Sequence, residues 1–201
     1  DRFKDNKFIN SKRELSKISI LQKIRKKWLT MIEKDNYYSA IDHIVNMYDE
    51  NTIFIGSTGY ISRVLFEKFG YSKNVFYMHG SMGLSPAIAL GIAMNSDKKV
   101  ISINGDGATL MNLGTFLNIK TRAQYNNSLY SRLKVFVLLN KVYESVGNQS
   151  IDIDLDLLSK SSLNIYYEFI EIKYPLYNKL LRVDISMKNN ANNIKEFLNG
   201  K

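Results

Sequence analysis

From Tyr37 onward, short apolar runs alternate with segments whose apolar positions recur three or four residues apart. Such runs suit strands buried on both faces, and such spacing suits amphipathic helices. The pattern predicts a helix around Ser39 to Asp49, a strand Thr52 to Ile55, a helix Ile61 to Phe69 and a strand Val75 to Met78. A turn at Gly80 to Gly83 then leads to a helix of small residues, Pro86 to Met94, with proline in the first turn, where its missing N–H costs nothing. A strand Val100 to Asn104 precedes a glycine-flanked turn and a helix from about Met111 to Arg122. A polar loop, Gln124 to Arg132, separates that helix from a strand Leu133 to Leu139. Farther on, Tyr166 to Ile172 and Leu180 to Ile185 read as strands, and Leu155–Ser161 and Ile194–Leu198 as helices. Alternation on this scale predicts an α/β fold, a doubly wound and mostly parallel sheet flanked by helices.

Residues 1–34 follow a different pattern. They are polar and basic, as in Lys12-Arg13 and Lys23-Ile-Arg-Lys-Lys27, with Ile18, Ile20, Leu21, Ile24, Trp28 and Leu29 near a helical period. They read as a basic linker and amphipathic helix ahead of one domain over 35–201. The chain begins at Asp1 rather than Met, so it is expected to be a fragment or a processed piece.

At 201 residues and 45% hydrophobic content, the chain can bury a substantial core. Its net charge of +9 would suit nucleic acid, yet the cations crowd into the first 34 residues and the middle is mixed. A nucleic-acid groove needs a basic face with interleaved aromatics, so no nucleic-acid partner is expected. A positive field would still favour an anionic ligand. The absence of cysteine excludes disulfides, thiolate catalysis and Cys-built zinc sites, and fits a reducing, cytoplasmic setting. No apolar stretch nears the roughly 18–20 residues of a membrane span, and nothing at the start reads as a signal peptide.

The chemistry-bearing feature is Gly105-Asp106-Gly107 after one apolar run, answered by Asn140 after another. Two strand ends then each offer an oxygen-bearing side chain. Mg²⁺ takes such ligands, usually one or two from protein with phosphate and water completing the shell, and open α/β sheets bind ligands beyond the carboxyl ends of their strands. By themselves these residues are equally a tight turn and a loop asparagine.

Three blocks sharpen the reading: Phe76-Tyr-Met-His-Gly-Ser-Met-Gly-Leu-Ser, Ile101-Ser-Ile-Asn-Gly-Asp-Gly-Ala-Thr-Leu-Met-Asn-Leu-Gly and Leu139-Asn-Lys-Val-Tyr-Glu-Ser-Val-Gly-Asn-Gln. In this order, from about Asn51 to Gln149, the chain resembles the thiamine-diphosphate enzymes. It is most similar to the diphosphate-binding domain of phosphonopyruvate decarboxylase, with sulfopyruvate decarboxylase its near relative. The resemblance implies thiamine diphosphate and Mg²⁺ as cofactors, with Asp106, Asn140 and the backbone carbonyl of Val142 as metal ligands. It implies diphosphate contacts from Thr58, Gly59, Gly105, Gly107 and Ala108 and from the N–H groups of Tyr143 and Glu144. In Gly80-Ser81-Met82-Gly83, the Gly80 carbonyl would face the cofactor's amino group and Met82 would wedge its two rings into a bent arrangement. These are the catalytic positions, the alternative for Met82 being an ordinary core methionine. Arg63 is the candidate for an anionic substrate tail, its alternative being a helix-surface arginine. His79 reads as a structural histidine, and His43 is assigned nothing.

Departures are visible too. Leu139 stands where many relatives carry a second Asn, Lys141 where a small residue is common, and Tyr60 where the phosphonopyruvate enzymes carry Lys. The gap from Asp106 to Asn140 is also longer than usual, with Gln124 to Arg132 as the insertion. The family further uses a glutamate on a pyrimidine-binding domain, and nothing in the sequence reads as that domain. The expectation is therefore the diphosphate-binding half of a 2-oxo acid decarboxylase, completed by a partner chain or domain in a homo- or hetero-oligomer. Phosphonopyruvate is the first choice of substrate. A sulfopyruvate decarboxylase β-type subunit and a non-catalytic assembly subunit are the alternatives.

Overall fold

A computed structural model describes residues 32–125, 128–152, 167–174 and 180–200. In chain order the elements are β1 (Ile32–Lys34), α1 (Tyr37–Val45), β2 (Ile53–Gly56), α2 (Tyr60–Phe69), β3 (Val75–Tyr77), α3 (Ser85–Asn95) and β4 (Val100–Gly105). They continue as α4 (Asp106–Met111), α5 (Gly114–Tyr125), α6 (Leu129–Arg132), β5 (Leu133–Leu139), a 3₁₀ turn at Glu144–Val146, β6 (Tyr167–Ile172) and α7 (Met187–Leu198).

The six strands form one sheet in the order β1-β6-β5-β4-β2-β3, and every pairing is parallel. Successive residues of the central strands feed two cores. Ile53 and Ile55 join Ala89, Phe116 and Ile119 on one face, while Phe54 joins Ile41, Val64 and Leu65 on the other. Helices thus cover both faces, which explains why the central strands are continuous apolar runs rather than alternating ones. Helix α1 is started by Asn36 and Ser39, whose side chains each bond the other's backbone in a capping box. At the far edge, buried Asn190 of α7 donates from Nδ2 to the Tyr77 carbonyl at 2.7 Å and accepts the Tyr77 N–H at 3.3 Å. That side chain supplies β3 with bonding on its unpaired side.

The chain leaves β2 for β3 on one side and returns to β4 on the other, then steps outward to β5. The carboxyl ends of neighbouring β2 and β4 are therefore a switch point, where open α/β sheets leave a crevice for ligands. Register places Gly56 opposite Ile103, so the segments after Gly56 and Gly105 emerge side by side.

Several expected elements differ. Leu180 to Ile185 is not a strand. The sheet edge beside β6 is taken by Ile32–Lys34, which the sequence reading assigns to the basic leader. Leu180 and Ile185 are instead buried in the α1/α2 core as irregular chain. The helix expected from Met111 begins at Asp106 and is broken at Asn112, so α4 and α5 are separate. The polar loop before β5 contains the turn α6, held by fully buried Leu129. The C-terminal helix starts at Met187, capped by Ser186, whose hydroxyl accepts the Asn189 N–H. The expected helix Leu155–Ser161 and the leader up to residue 31 lie outside the described residues.

Candidate cofactor and substrate site

Asp106 sits at the β4–α4 junction, 4% exposed. Its Oδ1 accepts the Gly107 N–H at 2.8 Å, and its Oδ2 accepts the N–H groups of Asn140 at 3.1 Å and Lys141 at 2.7 Å. One carboxylate thereby ties the ends of β4 and β5 together. A carboxylate offers about four lone-pair sites, so a direction on Oδ1 stays open for a further partner. Burial pushes the Asp106 carboxyl above its usual range, against the opposing pull of these three N–H groups and of its own. A bound cation would offset that cost. Behind the turn, buried Asn104 accepts from the Ser85 hydroxyl at 3.0 Å and donates to Thr109 at 2.8 Å, linking α3, β4 and α4.

Asn140 lies opposite. Its Nδ2 donates to Glu144 at 2.9 Å and its Oδ1 accepts the Val142 N–H at 3.3 Å, leaving Oδ1 the oxygen that a cation could share. The loop beyond folds back on itself through Tyr143 N–H to the Gln149 carbonyl at 2.9 Å and Ile151 N–H to the Lys141 carbonyl at 2.8 Å, with a bridge between Val142 and Ser150. The Tyr143 N–H, expected to contact the diphosphate, is thus engaged within the loop by the Gln149 carbonyl. The Gly107 N–H is likewise engaged by Asp106. The glycine at 107 still has a steric reason, since a Cβ there would lie 2.4 Å from the Tyr143 ring. Lys141 has φ +60°, and its ammonium pairs with Glu171 at 2.6 Å.

Two connected spaces open at this edge. A narrow recess of about 50 Å³ is lined by Thr58, Gly59, Asp106, Asn140, Val142 and Glu144, among others. A cleft of about 520 Å³ adjoins it, lined by Ser62, Arg63, His79, Gly80, Ser81 and Arg182. Thr58, Gly59, Met82, Ser145 and Val146 line both. Met82 is half-buried and belongs to neither core cluster, which weighs against its reading as a core methionine. His79 is exposed at the cleft, and His43 lines neither space.

Three residues lining these spaces are given no role by the sequence. Buried Tyr37 lines the recess. Burial raises its phenol well above the ordinary range, helped by the charges of Glu144 and Asp106 and by a hydrogen bond to Glu144. Ser57 follows β2 at the recess, and its hydroxyl is buried without a partner among the described residues. Arg182 comes from the segment misread as a strand. Serine and glycine after β2 could have signalled Ser57, but no local signal marks Tyr37 or Arg182.

The donor set fits a metal-bridged diphosphate. Among the described residues no group of three His, Cys, Asp or Glu side chains gathers into a self-sufficient metal site. A hard cation here would draw on Asp106, amide and carbonyl oxygens and phosphate, as Mg²⁺ does. The orphaned Ser57 hydroxyl is a polar atom that a phosphate oxygen in the recess could satisfy. The chain belongs to the thiamine pyrophosphate enzymes, whose C-terminal TPP binding domain matches residues 56–174.

Within that family it is 39% identical over 112 residues to the sulfopyruvate decarboxylase subunit beta of Methanocaldococcus jannaschii, covering 54% of each chain. It is 33% identical over 110 residues to the same subunit of Methanothermobacter thermautotrophicus, covering 55% of each. It is also 30% identical over 111 residues to the phosphonopyruvate decarboxylase of Streptomyces viridochromogenes, covering 55% of this chain and 26% of that protein. The chain thus spans about half the length of the sulfopyruvate relatives it matches. These relatives are decarboxylases, and the subunit designation of the first two implies assembly with another subunit. Among the described residues no helix is long and apolar enough to cross a membrane.

Proposed function

We propose that this chain is a β-type, diphosphate-binding subunit of a thiamine-diphosphate-dependent sulfopyruvate decarboxylase. The single observation that carries the cofactor site is the pairing of Asp106 and Asn140 beyond the carboxyl ends of β4 and β5, next to the β2/β4 switch point. Asp106 and Asn140 would hold Mg²⁺ through side-chain oxygens, Val142 through its carbonyl, and Thr58, Gly59, Gly105, Ala108 and the Glu144 N–H would flank the diphosphate. Ser57 would give it a hydroxyl. Gly80, Ser81 and Met82 would face the rings. Thiamine diphosphate, when bound, supplies the nucleophilic carbon and the electron sink for loss of CO₂. The chain's own residues anchor and orient it, and a partner subunit contributes the activating glutamate.

The substrate preference changes from the sequence reading, where phosphonopyruvate stands first. The two sulfopyruvate decarboxylase β subunits are 39% and 33% identical to this chain, against 30% for the phosphonopyruvate decarboxylase, and the β subunits are matched over about twice the share of their length. Tyr60 also replaces the Lys of the phosphonopyruvate enzymes, and its ring lies 5.4 Å from the Arg63 guanidinium. One cation fewer suits a sulfonate, which carries less charge at neutral pH than a phosphonate.

The test is calorimetric titration of the chain with thiamine diphosphate, with and without Mg²⁺, on wild type and Asp106→Ala. Product analysis with sulfopyruvate and phosphonopyruvate follows once a pyrimidine-binding subunit is added. Binding that needs both metal and Asp106, and CO₂ release from sulfopyruvate, are expected. Binding indifferent to both, even with the second subunit present, would leave an assembly subunit as the better reading.

A further inference from the structure

We infer that Arg182 is the residue that grips the substrate's anionic tail, with Arg63 holding Arg182 in place rather than binding the tail itself. This rests on the decarboxylase reading and adds to it the recognition of the tail.

The two connected spaces have opposite electrostatic character. Asp106 and Glu144 line the recess and not the cleft, whereas Arg63, His79 and Arg182 line the cleft and not the recess. Among the described residues no carboxylate lines the cleft. A ligand whose metal-bridged phosphates occupy the recess would project its reactive part into a space ending in guanidinium groups. A 2-oxo acid loses its carboxylate as CO₂, so a second, retained anion needs cations of its own. Arg is the side chain suited to a tetrahedral oxyanion, because its planar fork presents paired N–H donors.

Of the two arginines, Arg63 is already committed. Its Nη1 donates to the Leu180 carbonyl at 3.1 Å, and its guanidinium stands over the Tyr60 ring. This bond fixes irregular chain two residues before Arg182. Burial of Leu180 and Ile185 on either side anchors the same segment to the core. Arg182 itself is exposed at the cleft, so its fork can meet a ligand without first leaving a buried partner. The residue expected from sequence to bind the tail is thus a positioning residue, and the one that binds it lies some 120 positions farther along.

The experiment uses sulfoacetate and phosphonoacetate as probes for the tail and acetate as the control lacking it. Each is titrated into the full chain by calorimetry for wild type, Arg182→Ala, Arg182→Lys and Asp106→Ala, with circular dichroism verifying the fold of each variant. Saturable binding of a tailed probe is expected over acetate. It should weaken roughly 10- to 100-fold in Arg182→Ala, the scale of a lost hydrogen bond between charged groups. Arg182→Lys should fall between, because it keeps the charge and loses the fork. Asp106→Ala should bind the probes as wild type does.

Absence of saturable probe binding in wild type, or equal binding by Arg182→Ala, overturns the inference. So does an Arg182→Ala variant that loses Mg²⁺–thiamine diphosphate instead of the probes, which would assign Arg182 to the cofactor. Failure of Asp106→Ala to lose Mg²⁺–thiamine diphosphate would count against the cofactor site alone and leave the probe result standing.

Discussion

Gly83 and Gly80 lie in the same turn, yet the structure assigns them opposite tolerances. Gly83 has φ +89°, and a Cβ there would lie 2.6 Å from the Ala108 carbonyl oxygen and 3.1 Å from the Asn112 Cβ. The first neighbour is backbone of α4, anchored by the bonds of Asp106 and Asn104, and cannot swing aside as a side-chain tip would. Backbone held in a sparsely populated region costs about 1–3 kcal/mol, and overpacking adds about 1–3 kcal/mol. Gly83→Ala should therefore lose about 2–6 kcal/mol, a large part of the 5–15 kcal/mol typical of a domain. At roughly 2–4 °C per kcal/mol for this size, its melting temperature should fall by about 5 °C or more. Urea unfolding and thermal melts followed by circular dichroism measure both. Gly80 has no atom within 4 Å of its Cβ position and no positive φ, so Gly80→Ala should stay within about 0.5 kcal/mol of wild type. Gly91, equally open and on α3, should gain up to about 1 kcal/mol as Ala. A Gly83→Ala variant that melts within about 1 °C of wild type would refute the close approach between this turn and α4.

Other consequences follow from buried polar groups. In the metal-free chain the raised Asp106 carboxyl binds its proton more tightly folded than unfolded, so wild type should lose stability as pH rises from the unfolded value through the raised folded one. Asp106→Asn lacks that titration, and a stability difference between the two that is flat from pH 4 to 7.5 would contradict the burial. Asn190→Ala strands the N–H and carbonyl of Tyr77 on the β3 edge and should cost about 2–6 kcal/mol in urea unfolding, from two unsatisfied groups. The hydroxyls of Tyr167 and Ser57 are both buried without partners among the described residues. Tyr167→Phe should stabilise by about 1 kcal/mol and leave cofactor binding alone. Ser57→Ala should also stabilise the free chain but weaken Mg²⁺–thiamine diphosphate in calorimetry, and equal cofactor affinities in both variants would remove Ser57 from the site.

The sequence by itself determined the class of fold and marked the turn after β4. Parallel strands buried on both faces must be mostly apolar runs, and those at Val100–Ile103 and Val135–Leu139 stand out from their polar surroundings. Glycine is the residue that close backbone approach demands, so Gly105-Asp106-Gly107 announces itself. Other features depend on neighbours distant in the chain. Leu180 to Ile185 carries a strand's apolar pattern, yet the place beside β6 was filled by Ile32–Lys34, and edge occupancy is a property of the whole sheet. The Tyr143 N–H reads as free until the loop closes on Gln149. Tyr37 and Arg182 come from opposite ends of the described chain and carry no local mark. They reach the site because α1, packed against α2, β1 and β6, begins at the recess and because Arg63 holds the Leu180 carbonyl. Short-range pattern fixes backbone periodicity, whereas convergence of side chains at a switch point exists only after the strands have been ordered in space.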